Sequence, residues 1–114
     1  MRSALLAIGL VLIGASTAAF SSDELVIVGV GTLSCGKYVS LSPDKTYADM
    51  FISWSQGYLS ARNDSEQSRN RPMRALPDGE TIKIYLDKYC RDHPLSYPFL
   101  GVNQMFGELP FVTK

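Results

Sequence analysis

Cys35 and Cys90 are the only two cysteines in the chain of 114 residues, so a single intramolecular pairing is available. There is no CxxC and no histidine cluster beside them, which removes a zinc site from consideration. An even cysteine count in a short exported chain reads as a disulfide framework. Closing a loop of about 55 residues would stabilise the fold by roughly 4 kcal/mol in the chain-entropy picture. A whole domain is typically stable by roughly 5 to 15 kcal/mol, so one such bridge would dominate a small fold. The alternative reading is a pair of buried free thiols.

Export itself is read from the N-terminus. Arg2 supplies a positive start, Ala4 to Gly14 (ALLAIGLVLIG) is uninterrupted and apolar, and Ala15, Ser16, Thr17, Ala18 and Ala19 are small. This is the grammar of a secretory signal, with cleavage expected between Ala18 and Ser22. Residues 1–21 are read as the signal peptide and 22–114 as one domain, periplasmic or secreted. The alternative is an uncleaved anchor, which needs about 20 apolar residues and is reached only by counting Ala15 to Phe20. No later stretch is apolar enough to span a bilayer, so no stable membrane insertion is expected after cleavage.

The remaining pattern is helical. Glu24 to Gly31 (ELVIVGVG) is β-branched and glycine-punctuated, which predicts a short strand or extended arm, with Gly29 and Gly31 serving a turn. Ser34 can cap a short helix carrying Cys35, Tyr38 and Val39 and ending near Leu41. Ser42, Pro43 and Asp44 repeat the helix-start grammar, and Tyr47, Met50, Phe51, Trp54, Tyr58 and Ala61 then step by three and four, with Gly57 on the same stripe where another helix could approach. From Arg62 to Pro77 the periodicity stops, and an arginine-rich polar loop is expected over 62–77. Asp78 opens a third helix with Ile82, Tyr85, Leu86, Tyr89 and Cys90 on one face, ended by Pro94. Ser96 and Pro98 open a fourth, with Phe99, Val102, Met105, Phe106 and Leu109 as its apolar face, until Pro110. The fold class is therefore mainly α: a small four-helix domain with an N-terminal extended arm and one disulfide between the first and third helices. The expected packing residues are Trp54, Gly57, Tyr58, Tyr85, Leu86 and Tyr89.

Three segments carry a resemblance: SCGKY (Ser34 to Tyr38), WSQGYLSA (Trp54 to Ala61) and KYCRDHP (Lys88 to Pro94). In an exported chain they resemble the small disulfide-tied helical proteins that include the HdeA-type acid-stress chaperones and the immunity proteins neutralising secreted cell-wall amidases. The resemblance implies Cys35 and Cys90 as a bridge and Trp54, Gly57 and Tyr58 as packing of the central helix. It offers no partner-binding motif to carry over.

Chemistry is narrowed by elimination. His93 is the only histidine and stands where a helix ends, a position at which imidazolium complements the helix dipole. No serine lies in a GxSxG elbow. Asp87 and Asp92 are five apart on a helix and point in different directions, so with His93 they are not expected to assemble a metal site. The expectation is no enzyme, no metal and no cofactor. Eleven basic and eleven acidic side chains cancel, which argues against nucleic acid as a partner. What remains is a protein-binding domain, with an immunity-type inhibitor of a secreted toxin as the leading expectation. An acid-activated chaperone is the alternative and a hydrolase with an unrecognised site the remote one. A homodimer is compatible with any of these. Arg69, Arg71 and Arg74 are the candidate partner surface, because arginine offers two-pronged contacts to carboxylates.

Overall fold

A computed structural model describes residues 26–113, together with the isolated positions Gly9, Val11 and Gly14. The signal reading of residues 1–21, its cleavage window and the first two residues of the expected arm lie essentially outside the described residues. Within them are four α-helices, α1 (Cys35–Leu41), α2 (Lys45–Ser68), α3 (Gly79–Asp92) and α4 (Pro98–Glu108), preceded by one 3₁₀ turn, Val30–Thr32. No described helix is long and apolar enough to cross a membrane. The four-helix expectation stands, and the bridge joins Cys35 at the start of α1 to Cys90 in α3, with Cα atoms 4.9 Å apart.

Helix starts follow side-chain chemistry that satisfies the first free N–H groups. The Ser34 side chain accepts from the Lys37 N–H, and the Asp78 side chain accepts from Thr81. At α2 the capping residue is Asp44, which takes the N–H groups of Thr46 and Tyr47, so Ser42 and Pro43 form the preceding turn and not the helix start expected of them. At α4 Pro98 occupies the first turn, with Tyr97 as the cap position and no side-chain bond. Ser96 works sideways instead: its hydroxyl pairs with that of Tyr89 at 2.8 Å, and its carbonyl accepts from the Cys35 N–H at 2.9 Å.

The core lies where α1, α2, α3 and α4 meet, and is made by Cys35, Tyr38, Phe51, Leu59, Ile82, Leu86, Tyr89, Cys90, Val102, Met105 and Phe106. On α2 the buried face is Ala48, Phe51, Ser55 and Leu59, rotated from the aromatic stripe that the sequence suggests. Ser55 is tolerated there because its hydroxyl donates to the Phe51 carbonyl one turn back, at 2.7 Å. Tyr47 and Met50 are consequently exposed, while Trp54 and Tyr58 sit on the flank, half-buried. Gly57 is not a close-approach point: it is exposed, and a Cβ added to it would meet nothing within 4 Å.

That flank is covered by the arm. Val26 to Val28 has no regular secondary structure, and the Trp54 indole N–H donates to the Val28 carbonyl at 2.8 Å. Gly29, at φ 99°, and Gly31 lie directly against the indole, where any Cβ would overlap the ring. The two glycines thus serve as the seat of a tryptophan, and not only as a turn. Tyr58 stacks on the same indole with centroids 5.3 Å apart.

Tyr38 ties α1 to α3 a second time. Its ring packs edge-on against Phe51 at 4.8 Å, and its hydroxyl donates to the Asp87 carboxylate at 2.8 Å. Burial, reinforced by that carboxylate, pushes the phenol far above its ordinary range, so it remains a donor at any working pH. Lys83 completes the group by pairing with Asp87 at 2.9 Å.

Two helix-end carboxylates are held in their ionised form by contacts of the fold. Asp78 is held below the ordinary carboxylate range by the Thr81 N–H it accepts, and Asp92 by its bond from Lys88. A depressed folded-state pKa means that the ionised form favours folding. This contribution is complete above the unfolded-state carboxylate value and is lost as pH falls through the folded one. The midpoint of urea unfolding should therefore drop between about pH 4 and pH 2. Asp78→Asn and Asp92→Asn together should flatten that drop, and an unchanged slope would show that other carboxylates govern it.

Candidate functional site

The stretch expected to be a loop over 62–77 is only partly one. Helix α2 runs on to Ser68, so Arg62 is a helical residue and the irregular connection begins at Arg69. The polar sequence from Arg62 to Ser68 hides its helix because it has no apolar period, yet it lacks proline and glycine and continues hydrogen-bonded turns already nucleated upstream. The turn at its end is set by Asn70, at φ 55°, a conformation that asparagine tolerates.

Beyond that turn the chain is pinned on both sides. The Asn63 side-chain amide donates to the Arg74 carbonyl and its oxygen accepts from the Arg74 N–H, both at 2.8 Å, so one α2 side chain imitates a neighbouring strand. On the opposite side the tail after α4 pairs with the segment: the Ala75 N–H donates to the Pro110 carbonyl at 2.7 Å, and the Val112 N–H to the Met73 carbonyl at 2.9 Å. Arg74 and Phe111 form an antiparallel bridge. Asn63→Ala removes both side-chain bonds at once and leaves a half-buried peptide group unpaired, which should cost about 1 to 3 kcal/mol. Amide exchange at Arg74 should accelerate with it; protection unchanged from wild type would show that the tail alone holds the segment.

These anchors assemble a groove of about 390 Å³ lined by Arg62, Glu66, Arg71, Arg74, Phe106 and Phe111. The Arg62 guanidinium lies 4.4 Å over the Phe106 ring and donates to the Asn103 side-chain oxygen. Arg74 lies 3.9 Å over Phe111 and 5.8 Å from Phe106, and donates to the Leu109 carbonyl at 2.7 Å. Aromatic faces attract cations, and each guanidinium is also hydrogen-bonded, so both are positioned before any ligand arrives. Arg71 grips Glu66 with two bonds, Nε to Oε2 at 2.8 Å and Nη2 to Oε1 at 2.9 Å. Three cations therefore line the groove against one carboxylate, and that carboxylate is already taken.

Of the three arginines expected to form a partner surface, the structure brings Arg71 and Arg74 together and leaves Arg69 exposed at the C-terminal cap of α2. Arg62 replaces it in the groove. No known family model, curated protein or solved structure matches this chain. The reading of the groove thus rests on its own geometry.

One further cleft has its charged groups already engaged. Between α3 and α4 a cleft of about 180 Å³ holds Tyr85, Lys88, Asp92, His93, Gln104 and Glu108. Lys88 pairs with Asp92, and Glu108 accepts from the Tyr85 hydroxyl at 3.0 Å. Burial, with Glu108 beside it, pushes the Tyr85 phenol up to about 12, so it stays a donor to that carboxylate. His93 ends α3, stacked on Tyr89 at 4.5 Å with Nδ1 3.0 Å from the Tyr89 carbonyl. Among the described residues no group of three or more His, Cys, Asp or Glu side chains is placed to hold a metal.

Proposed function

We propose that this domain is a non-enzymatic protein-binding module, working outside the cytoplasm, that takes an acidic segment of another protein into the arginine groove. One observation carries the proposal: three guanidinia converge on a groove holding a single carboxylate, and two lie over aromatic rings. Charge-assisted two-pronged bonds to carboxylates are what such forks form best, and they are about twice as strong as neutral ones. The bridge supports an exported setting, because disulfides persist in oxidising compartments. Within this reading the partner class is a secreted toxin with an acidic edge, in keeping with the resemblance to immunity proteins.

Fluorescence anisotropy with labelled acidic peptides, against matched peptides carrying Gln and Asn, tests the proposal. Acidic peptides should bind in a salt-sensitive manner, and the matched neutral ones should not. Arg62→Gln and Arg71→Gln should each weaken binding by about tenfold, or roughly 1.4 kcal/mol. Glu66→Gln should tighten it by freeing the Arg71 fork. A folded protein that binds no acidic peptide, or binds acidic and neutral peptides alike, would overturn the assignment.

A further inference from the structure

The groove has a backbone edge beside it. The two bonds linking Met73 and Ala75 to Val112 and Pro110 flank Arg74 and Phe111, which makes that pair the non-hydrogen-bonded kind. In such a pair each residue directs its own N–H and carbonyl away from its partner. For Arg74 the outward groups meet Asn63. For Phe111 they meet nothing among the described residues. Among the described residues the layer therefore runs from α2 through residues 73–75 to residues 110–112, and no further segment joins it. Phe111 and Val112 are about half exposed, at 51% and 47%, as an outermost segment would be.

We infer that the acidic segment binds as an added β-strand along residues 110–112, exchanging both main-chain bonds with Phe111. This rests on the protein-binding reading above and specifies its geometry. A residue directly opposite Phe111 would be a hydrogen-bonded pair with it, its Cα about 5.5 Å away and its side chain on the same face as the Phe111 ring. On that face the Arg74 guanidinium already covers the ring, 3.9 Å from its centroid, with Arg62 beyond it over Phe106. A Glu or Asp at that position would lie on the arginine side of the layer, next to the Phe111 ring that Arg74 covers. Strand addition supplies affinity through the backbone, while one side chain supplies selectivity. The occupant is thus an extended segment of another protein carrying a carboxylate at one pairing position.

The test uses the intact, oxidised wild-type protein and the peptide acetyl-Thr-Val-Glu-Val-Thr-amide, with N-methyl groups placed one residue at a time and binding followed by heteronuclear NMR. Because strand N–H groups alternate in direction, N-methylation at Glu should weaken binding at least tenfold, whereas N-methylation at the preceding Val should leave it within about twofold. The Phe111 amide resonance should shift on binding and gain protection from exchange. Equal tolerance at both positions, or equal loss at both, would overturn strand addition while leaving the carboxylate contact standing. A Gln peptide that binds as well as the Glu peptide would remove the carboxylate contact itself. No peptide binding, or loss of the free edge to a second copy of the chain, would also overturn this inference, and the acidic-peptide panel would then decide the broader reading alone.

Discussion

Replacing both bridge cysteines, as Cys35→Ala with Cys90→Ala, is expected to lower the unfolding free energy by about 4 kcal/mol, the loop-closure value for a separation of 55 residues. Both sulfurs are buried, at 0% and 1% exposure, so alanine avoids adding a polar atom to the core but leaves a small void. Seven-residue α1 is too short to persist alone and depends on its attachment to α3. Besides the bridge, α1 is held by the Tyr38 hydroxyl on Asp87 of α3 and by the Cys35 N–H on the carbonyl of Ser96, in the connection between α3 and α4. Urea unfolding at neutral pH, comparing oxidised wild type with the double variant, would check the figure. A loss below about 1 kcal/mol would mean that these contacts and the core hold α1 without the bridge.

Two helical glycines should respond to alanine with opposite signs. Gly101 is buried where α4 crosses α3: an added Cβ would lie 2.7 Å and 2.9 Å from the Tyr89 ring and 3.2 Å from Leu86 Cδ2. The Tyr89 ring is restrained by its hydroxyl bond to Ser96, so it cannot retreat freely. Gly101→Ala should destabilise the fold by about 1 to 3 kcal/mol, more than its gain in helix propensity. Gly57→Ala meets open space and should stabilise it by about 0.5 to 1 kcal/mol. Thermal unfolding of both variants distinguishes these cases, and a stabilised Gly101→Ala would show that α3 and α4 can separate at low cost.

Those glycines also show where sequence reasoning worked and where it did not. Helix α3 was legible because Asp78 caps it and Ile82, Leu86, Tyr89 and Cys90 repeat cleanly on one face. Helix α2 was legible as a helix, but its buried face was not. Large aromatics at Tyr47, Trp54 and Tyr58 outweighed Ser55, whose burial depends on a bond to its own helix. Gly57 attracted attention by lying on that aromatic stripe, while the tight crossing at Gly101 can be seen only once α3 and α4 are placed together. At the groove, Arg71 and Arg74 were recognisable from charge. Arg62 was hidden by the expectation of a loop, and Asn63 because nothing local distinguishes a side chain that imitates a strand. Its earliest clue lay in the spacing: an asparagine late in a helix, just before a short polar connection that returns beside it.

The position of the bridge has a consequence for survival among proteases. The connection after α2 is exposed from Arg69 to Pro72, and the bond after Arg69 is where a trypsin-like enzyme would find its entry, since Arg71 is followed by proline. That connection lies inside the span closed by Cys35 and Cys90, so a single cut there yields two peptides that still travel as one covalent body. The first peptide carries α1 and α2, the second α3 and α4, and sulfur joins them across the crossing of α1 with α3. A nicked molecule would thus retain its full mass until reduced.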